Sequence, residues 1–450
     1  MKIYKGKHYE VFEGQLYDRV RQASTENKAR MIYIALNLAK LITHKFADLM
    51  FLDPLRVDSG SENYEVFKAF FSDSQLDLNN WKLAVYTTVR GDGLYRFAVN
   101  NNRPILKYTP ANFWFPEFEG GEVARHIFEW AVKLDGKPYV RRDVYQNGSV
   151  LSELYASRID LTEMITDDNY ADILGKQVDI KQYYPNIEPE IKTGVPDSAL
   201  VYHFKSDNSE DDFGQSEYFD LMPLFDELNN RLTQLSKILD VHAEPEKFYP
   251  DQYFQLNQRY YELYKQMKYE FKKSDDGIYS MPQGVTEKPF ALTWDAKLEA
   301  VFKEIEMTME NILTVAEIAP YLIWMKNTAE TEDSIRMQLI TTEAKVRRQR
   351  MLFAPAFKQA LIDLQKLIYA NDSIRSYYGD KLESGEIVEP SLVWGEPIPV
   401  SESERLDIVE RKDKMGAISE RRKIAEANPE LTNEEVDDEL REIQQGYNLG

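Results

Sequence analysis

The 450-residue chain has no cysteine, so it can form no disulfide and offers no thiolate to a metal ion; it fits a reducing compartment without proving one. It also lacks G-x-x-x-x-G-K-S/T, G-x-G-x-x-G and H-E-x-x-H. With them go the usual phosphate cradle, the dinucleotide fingerprint and the zinc-protease histidine pair. The five histidines, His8, His44, His126, His203 and His242, show no metal-ligand spacing. No run is long and apolar enough to cross a bilayer. The best, "MIYIALNLAKLITHKFADLMF", meets Lys40 after nine residues and carries His44 and Lys45, against the roughly 20 apolar residues a spanning helix needs. The opening "MKIYKGKHYEVFEG" has no apolar h-region, so no secretory signal is expected. There is no internal repeat and no low-complexity tract.

Positive charge is also scarce. Asp and Glu number 76 against 55 Lys and Arg, for a net charge of −21. Tight nucleic-acid binding draws its affinity from Lys and Arg that release counterions, so any contact with DNA must be local or weak. The acidic pairs Asp211-Asp212, Asp275-Asp276 and Asp437-Asp438 lack the spaced loop of an EF-hand and read as solvated surface.

What is present points to a large α+β chain of two or more domains. Residues 15 to 52 carry helical spacing (Ile32, Ala35, Leu36, Ala39, Ile42, Phe46 and Leu49) and stop before Asp53-Pro54. From Trp81 to Tyr155 the runs are rich in Val, Ile, Tyr and Phe. Asp92-Gly93, Asp135-Gly136 and Asn147-Gly148 punctuate them, which predicts an antiparallel meander. Residues 156 to 212 are turn-rich.

After Gly214 helices dominate. Leu221, Leu224, Phe225, Leu228, Leu232, Leu235 and Leu239 make one stripe, with Pro223 near the start. A second helical pattern covers about 251 to 273, and a third starts at Asp295 and ends before Pro320. The longest runs from about Thr331 to Ala370, with acids in its first turn and a kink expected at Pro355. In the charged tail, Thr432 and Glu435 form a capping box.

Three stretches invite a chemical reading. Gly214-Gln215-Ser216 fails the nucleophile-elbow pattern because no glycine stands two residues after the serine. Ser216 reads instead as a helix N-cap, with Glu217 and Asp220 at the positive end of the dipole. Tyr253, Phe254, Tyr260, Tyr261, Tyr264, Tyr269 and Phe271 alternate with Lys265, Lys268, Lys272 and Lys273. Such a pattern can stack single-stranded bases, though a helix packed on a neighbour with lysines outward is the plainer reading. Lys345, Arg347, Arg348 and Arg350 cluster on the longest helix. Whether they face acids of another subunit or a phosphate backbone stays open at this level.

The order of parts carries a resemblance across roughly residues 25 to 445. "LMFLDP" and a "YQNGSV" hairpin precede "FGQSEYFDLMPLFDELNNRLTQLSKIL" and an inserted segment. Then come "AEIAPYL", "EDSIRMQLITTEAKVRRQRMLFAPAFKQAL", "LVWGEPIPVSESE" and "GAISERRKIAEANPELTNEEVDDELREI". This order resembles the portal proteins, or head–tail connectors, of tailed bacteriophages of Gram-positive hosts.

The resemblance implies a ring-shaped homo-oligomer, usually a dodecamer, at one capsid vertex. The ring serves as a DNA conduit for packaging, retention and ejection. It implies an α/β wing over 1–215, a first stem helix over 216–243, an inserted clip over 244–294 and a second stem helix over 295–318. A tunnel loop over 319–330, a long kinked wing helix with its return over 331–400 and a helical crown over 401–450 complete the expected plan. Lys326, Asn327 and Thr328 would stand at the loop tip toward double-stranded DNA, and Leu228, Leu232 and Leu235 would pack the stem. "NTAETEDS" lacks the glycine often found before the long helix. Expected partners are a terminase, which would supply the ATPase, a head–tail adaptor and the major capsid or scaffold protein. The expected place is the virion, with assembly in the host cytoplasm. No cofactor, catalytic site or membrane is implied. Twelve copies at −21 each carry about −252, a sign that lets DNA slide rather than stick. Two other readings remain: a carbohydrate-active enzyme using a carboxylate pair, and a non-viral ring or scaffold protein.

Overall fold

In the computed structural model, the residues described are 1–12, 33–158, 174–206, 212–243, 246–250, 278–281, 288, 290–292, 298–323, 332–382, 385–397, 402–428 and 433–447. They form a mixed α+β fold. Short α1 (His8–Val11) is followed by α2 (Leu38–Met50), which begins where Asn37 caps the Lys40 amide at 3.1 Å. The helix expected over 15–52 does not run through residues 33–37, where Leu36 is exposed ahead of the cap; residues 13–32 lie outside the described set.

The main correction falls between residues 76 and 91. After β1 (Arg56–Val57) and α3 (Tyr64–Asp73), the segment expected to open the meander is a helix, α4 (Leu76–Arg90). Leu76, Asn80, Leu83, Ala84, Thr87 and Thr88 are all buried, in steps of three and four. Burial of that face outweighs the weak strand preference of its Val, Tyr and Thr residues. Gly91, at φ +93°, ends the helix. Asp92-Gly93 accordingly lies inside β2 (Asp92–Asn100) and makes no hairpin.

The two other turn signals hold. β2 pairs with β3 (Arg103–Pro110) and with β10 (Val201–Lys205) in a three-stranded antiparallel sheet. A second sheet runs β4 (Trp114–Glu119), β5 (Glu122–Leu134), β6 (Lys137–Gln146), β7 (Ser149–Ser157) and β8 (Leu174–Val178), with β9 (Glu190–Lys192) on β7. Asp135-Gly136 joins β5 to β6 with both residues at positive φ, and Gly148 supplies positive φ between β6 and β7.

The rest is mainly helical. α5 (Met222–Ala243) leads to a small sheet of β11 (Glu246–Pro250), β12 (Ile278–Met281) and β13 (Phe290–Leu292). The Tyr/Lys stretch at 251–273 lies outside the described residues, as do Asp211, Asp275 and Asp276 and the Thr432 capping residue. α6 (Leu298–Val315) and the 39-residue α7 (Glu332–Ala370) follow. α7 continues through Pro355 as one helix. α8 (Asp372–Tyr378), β14 (Leu392–Val393, paired with β1), α9 (Glu402–Lys414), α10 (Glu420–Ala427) and α11 (Asn433–Tyr447) end the chain. One apolar core joins α2 to α7 with the β10–β2–β3 sheet. Phe204 of β10 meets Phe353 and Phe357 of α7 at ring separations of 4.9 and 5.0 Å. No described helix is long and apolar enough to cross a membrane.

Candidate functional site

The helices that the sequence singles out, α5, α6 and α7, converge on one junction. The buried face of α7 is apolar at Leu339, Val346, Phe353 and Phe357, yet Thr342, Lys345, Gln349 and Arg350 share that burial. Polar groups at core positions need partners, and each has them. Thr342 Oγ1 accepts from the Ala319 amide at 2.8 Å and donates to the Glu317 carbonyl at 3.1 Å. Lys345 Nζ donates to the Ala316 carbonyl at 2.9 Å, pairs with the Glu217 carboxylate and sits 5.0 Å from the Phe46 ring centre. Arg348 pairs with Glu317 at the surface.

These three residues, one turn apart on α7, grip the segment where α6 ends. The amides of Ala316 and Ile318 return to Ile312 and Leu313, and Glu317 takes positive φ. A short 3-10 turn, Pro320–Leu322, follows, with Leu322 and Ile323 half-buried against the core. The base of the 324–331 segment is thus fixed on α7 from both sides in sequence. Lys326, Asn327 and Thr328 themselves lie outside the described residues, as does Trp324.

The basic cluster on α7 is spent inside the chain. Arg350 donates to the Met50 carbonyl at 2.7 Å and the Gly395 carbonyl at 2.5 Å, and stacks over Trp394. Burial lowers its pKa to about 10, so it stays charged at neutral pH. Arg347 reaches Glu343 and Glu396. Burial inside the chain takes Lys345 and Arg350 out of the reading that set this cluster against another subunit or a phosphate backbone, while Arg347 and Arg348 pair within the chain but keep exposed side chains. Spacing gave no signal for this, because the partners of the two buried cations, the Met50 carbonyl and Glu217, lie 300 and 128 residues away in sequence.

The Gly-x-Ser turn is also structural. Gly214 lies against Gly91, and its amide donates to Asp92 Oδ1 at 2.7 Å. Ser216 Oγ donates to the Val89 carbonyl at 2.7 Å and accepts from the Tyr218 amide at 3.2 Å. α5 begins only at Met222, so Ser216 opens a turn rather than capping the helix, and Glu217 serves Lys345. Beside it, His203 Nε2 lies 2.6 Å from Asp92 Oδ1, and Trp114 Nε1 donates to His126 Nδ1 at 3.2 Å. The one nearby hydroxyl of that turn is already committed to backbone, so this His–Asp pair is not set against a nucleophile. Among the described residues no three His, Cys, Asp or Glu gather as a metal site.

Of the residues expected to pack the stem, Leu228 is fully buried in the chain's own core, and Leu232 and Leu235 are half-buried against it. Leu239 is exposed, as are Phe302, Met307 and Val315 on α6 and Met337, Ile340 and Met351 on α7.

A family model described as "Phage portal protein, SPP1 Gp6-like" matches residues 1–447. No curated protein matches the chain. Among solved structures, the chain is similar to one from the virion of a native gene transfer agent (GTA) particle. Identity there is 12%, covering 87% of this chain and 93% of that one, with a TM-score of 0.40. A chain from the neck of an empty GTA particle gives 12%, 87%, 90% and 0.42 in the same order. An HK97 family phage portal protein from Corynebacterium diphtheriae gives 10%, 80%, 94% and 0.31. At these scores the structural likenesses carry no argument; the family match does.

Proposed function

Because the chain belongs to the SPP1 Gp6-like family of phage portal proteins, we propose that copies of it close into a ring around a DNA channel at one capsid vertex. The family match carries this reading, since it runs through nearly the whole chain. The exposed Phe302, Met307, Met337, Ile340 and Met351 support it, because a single copy leaves them in water and neighbouring copies in a ring would cover them. The protein is a structural conduit for packaging, retention and ejection of the genome, not an enzyme.

Within that reading, residues 1–215 form the wing, 216–243 and 295–318 the stem, 244–294 the clip, 319–330 the tunnel loop and 331–400 the long helix with its return. Residues 401–450 form the crown. Leu228, Leu232 and Leu235 serve the stem by holding α5 in its own subunit's core. The clip docks the terminase during packaging and the head–tail adaptor afterwards, while the outer face meets capsid or scaffold protein. Twelve copies make the ring, which assembles in the host cytoplasm and remains in the virion. Light scattering after size exclusion, with negative-stain imaging, tests the reading: a closed ring of about twelve copies is expected, and a persistent monomer overturns it.

A further inference from the structure

From Glu386 to Glu396 the chain runs back along α7 as an extended strap, antiparallel to the helix. The Tyr369 hydroxyl donates to the Glu386 carbonyl at 3.2 Å. Gln365 Nε2 donates to the Val388 carbonyl at 2.7 Å, and its Oε1 accepts from the Val388 amide at 3.0 Å. Lys358 pairs with Glu389 at 3.0 Å, and Arg347 reaches Glu396 at 3.1 Å. On its other side the strap pairs with β1 through β14. From Tyr369 back to Arg347, at about 1.5 Å per residue, α7 covers about 33 Å. From Glu386 to Glu396, at about 3.3 Å per residue, an extended chain covers about 33 Å as well. The strap has little slack.

It crosses the weakest point of the helix. Pro355 has no N–H, so the Met351 carbonyl lacks its helical donor, and the proline ring crowds the preceding turn. Trp394 of the strap spans that point. Its ring centre lies 5.3 Å from the Arg350 guanidinium on one side of the proline and 6.1 Å from the Phe357 ring on the other. Facing the core, Phe204 bridges Phe353 and Phe357 in the same way. The two halves of α7 also have separate anchorage. Thr342 and Lys345 hold the end of α6, whereas Asp363 accepts from Ser198 Oγ at 2.6 Å and from the Tyr202 hydroxyl at 2.8 Å.

We propose that the strap is a latch on α7: seated, Trp394 holds the two halves at one angle, and lifted, the helix flexes at Pro355. The core bracket at Phe204 is fully buried, but the strap is not. Between 386 and 396 Pro390 is the one buried residue, and Leu392 and Trp394 are half-buried against the core. The Lys358–Glu389 and Arg347–Glu396 pairs are exposed, where such pairs contribute little. The strap can therefore leave α7 without opening the core, as a local rather than a global transition. The latch is a property of one copy and does not depend on the ring.

Hydrogen exchange of the full chain, read by mass spectrometry, tests it. Trp394→Ala should speed exchange about tenfold over 347–359, with 332–346 and 360–370 unchanged. Adding Pro355→Ala should return 347–359 to the unsubstituted rate, because the restored N–H mends the helix while the space left by the indole stays empty. Trp394→Leu keeps an apolar contact with Phe357 and loses the ring face beneath Arg350; it should give an intermediate rate, and it carries the test if Trp394→Ala does not fold. Unchanged exchange over 347–359, or exchange raised evenly along α7, overturns the latch. So does fast exchange that persists after Pro355→Ala, since Trp394 would then be ordinary packing.

Discussion

Gly91 and Gly214 meet back to back, each so close that a Cβ on either would fall on the backbone carbonyl of the other. This contact seats the turn before α5 on the end of α4. Gly91 also needs its positive φ, whereas Gly214 is required for space alone.

Gly214→Ala should therefore destabilise the chain by about 3 kcal/mol, the upper range for overpacking where backbone must move. Urea unfolding reads the loss. Gly385→Ala, where an added methyl meets nothing within 4 Å, serves as the neutral control. Equal midpoints for the two variants would contradict the contact.

The Glu217–Lys345 pair is nearly sealed from solvent, at 6% and 5% side-chain exposure. Removing one partner strands a buried charge, so Lys345→Met should cost about 3–5 kcal/mol, and adding Glu217→Met should recover most of that. A double-mutant cycle in urea measures it. Additive losses would mean that the two side chains do not act together.

How much of this the sequence discloses depends on the kind of contact. The helices at 222–243, 298–315 and 332–370 are legible because their apolar stripes recur in threes and fours. α4 is misread because Val85, Tyr86, Thr87, Thr88 and Val89 make a run with strand chemistry, and only the buried face beneath them selects helix. Lys345 and Arg350 look like surface charge, since nothing local announces Glu217 or the Met50 carbonyl as partners. Gly91 and Gly214 are each legible as glycines, but their pairing is tertiary. The order of the parts supplies what periodicity does not: the family resemblance.

His126 gives the fold a pH dependence of known sign. Burial, with the neighbouring His203 adding to it, lowers its pKa from the ordinary 6.5 to about 4. The fold prefers the neutral ring, so its contribution is complete above about pH 6.5 and is lost as pH falls from 6.5 toward 4. Between pH 7 and 5.5, above the sequence pI of about 4.9, the loss should be about 1 kcal/mol. His126→Gln removes the titration. Urea midpoints at the two pH values should converge less steeply in the variant; parallel slopes would assign the effect elsewhere.

The last prediction concerns the segment leaving Ile323. Thr342 and Lys345 hold the backbone at Ala316, Glu317 and Ala319, while Leu322 and Ile323 rest against the core. The chain re-enters helix at Glu332, so both ends of 324–331 are fixed to one rigid helix pair. In the tunnel-loop role proposed above, a segment so anchored would transmit force from passing DNA to α7 without unseating its own base. Lys326 carries the loop's one positive charge, and in a ring it would repeat around the axis. In the proposed ring each copy would then offer a single screened contact to phosphate, weak enough for sliding. Lys326→Glu should leave ring assembly intact while impairing packaging or retention of DNA, scored as genome content per particle. Thr342→Val should loosen the base and give a weaker form of the same defect, with a stability loss of about 1–3 kcal/mol from the unmet Ala319 amide. Normal DNA content in Lys326→Glu particles, or a crosslink placing Lys326 between subunits away from the axis, would remove 319–330 from the channel.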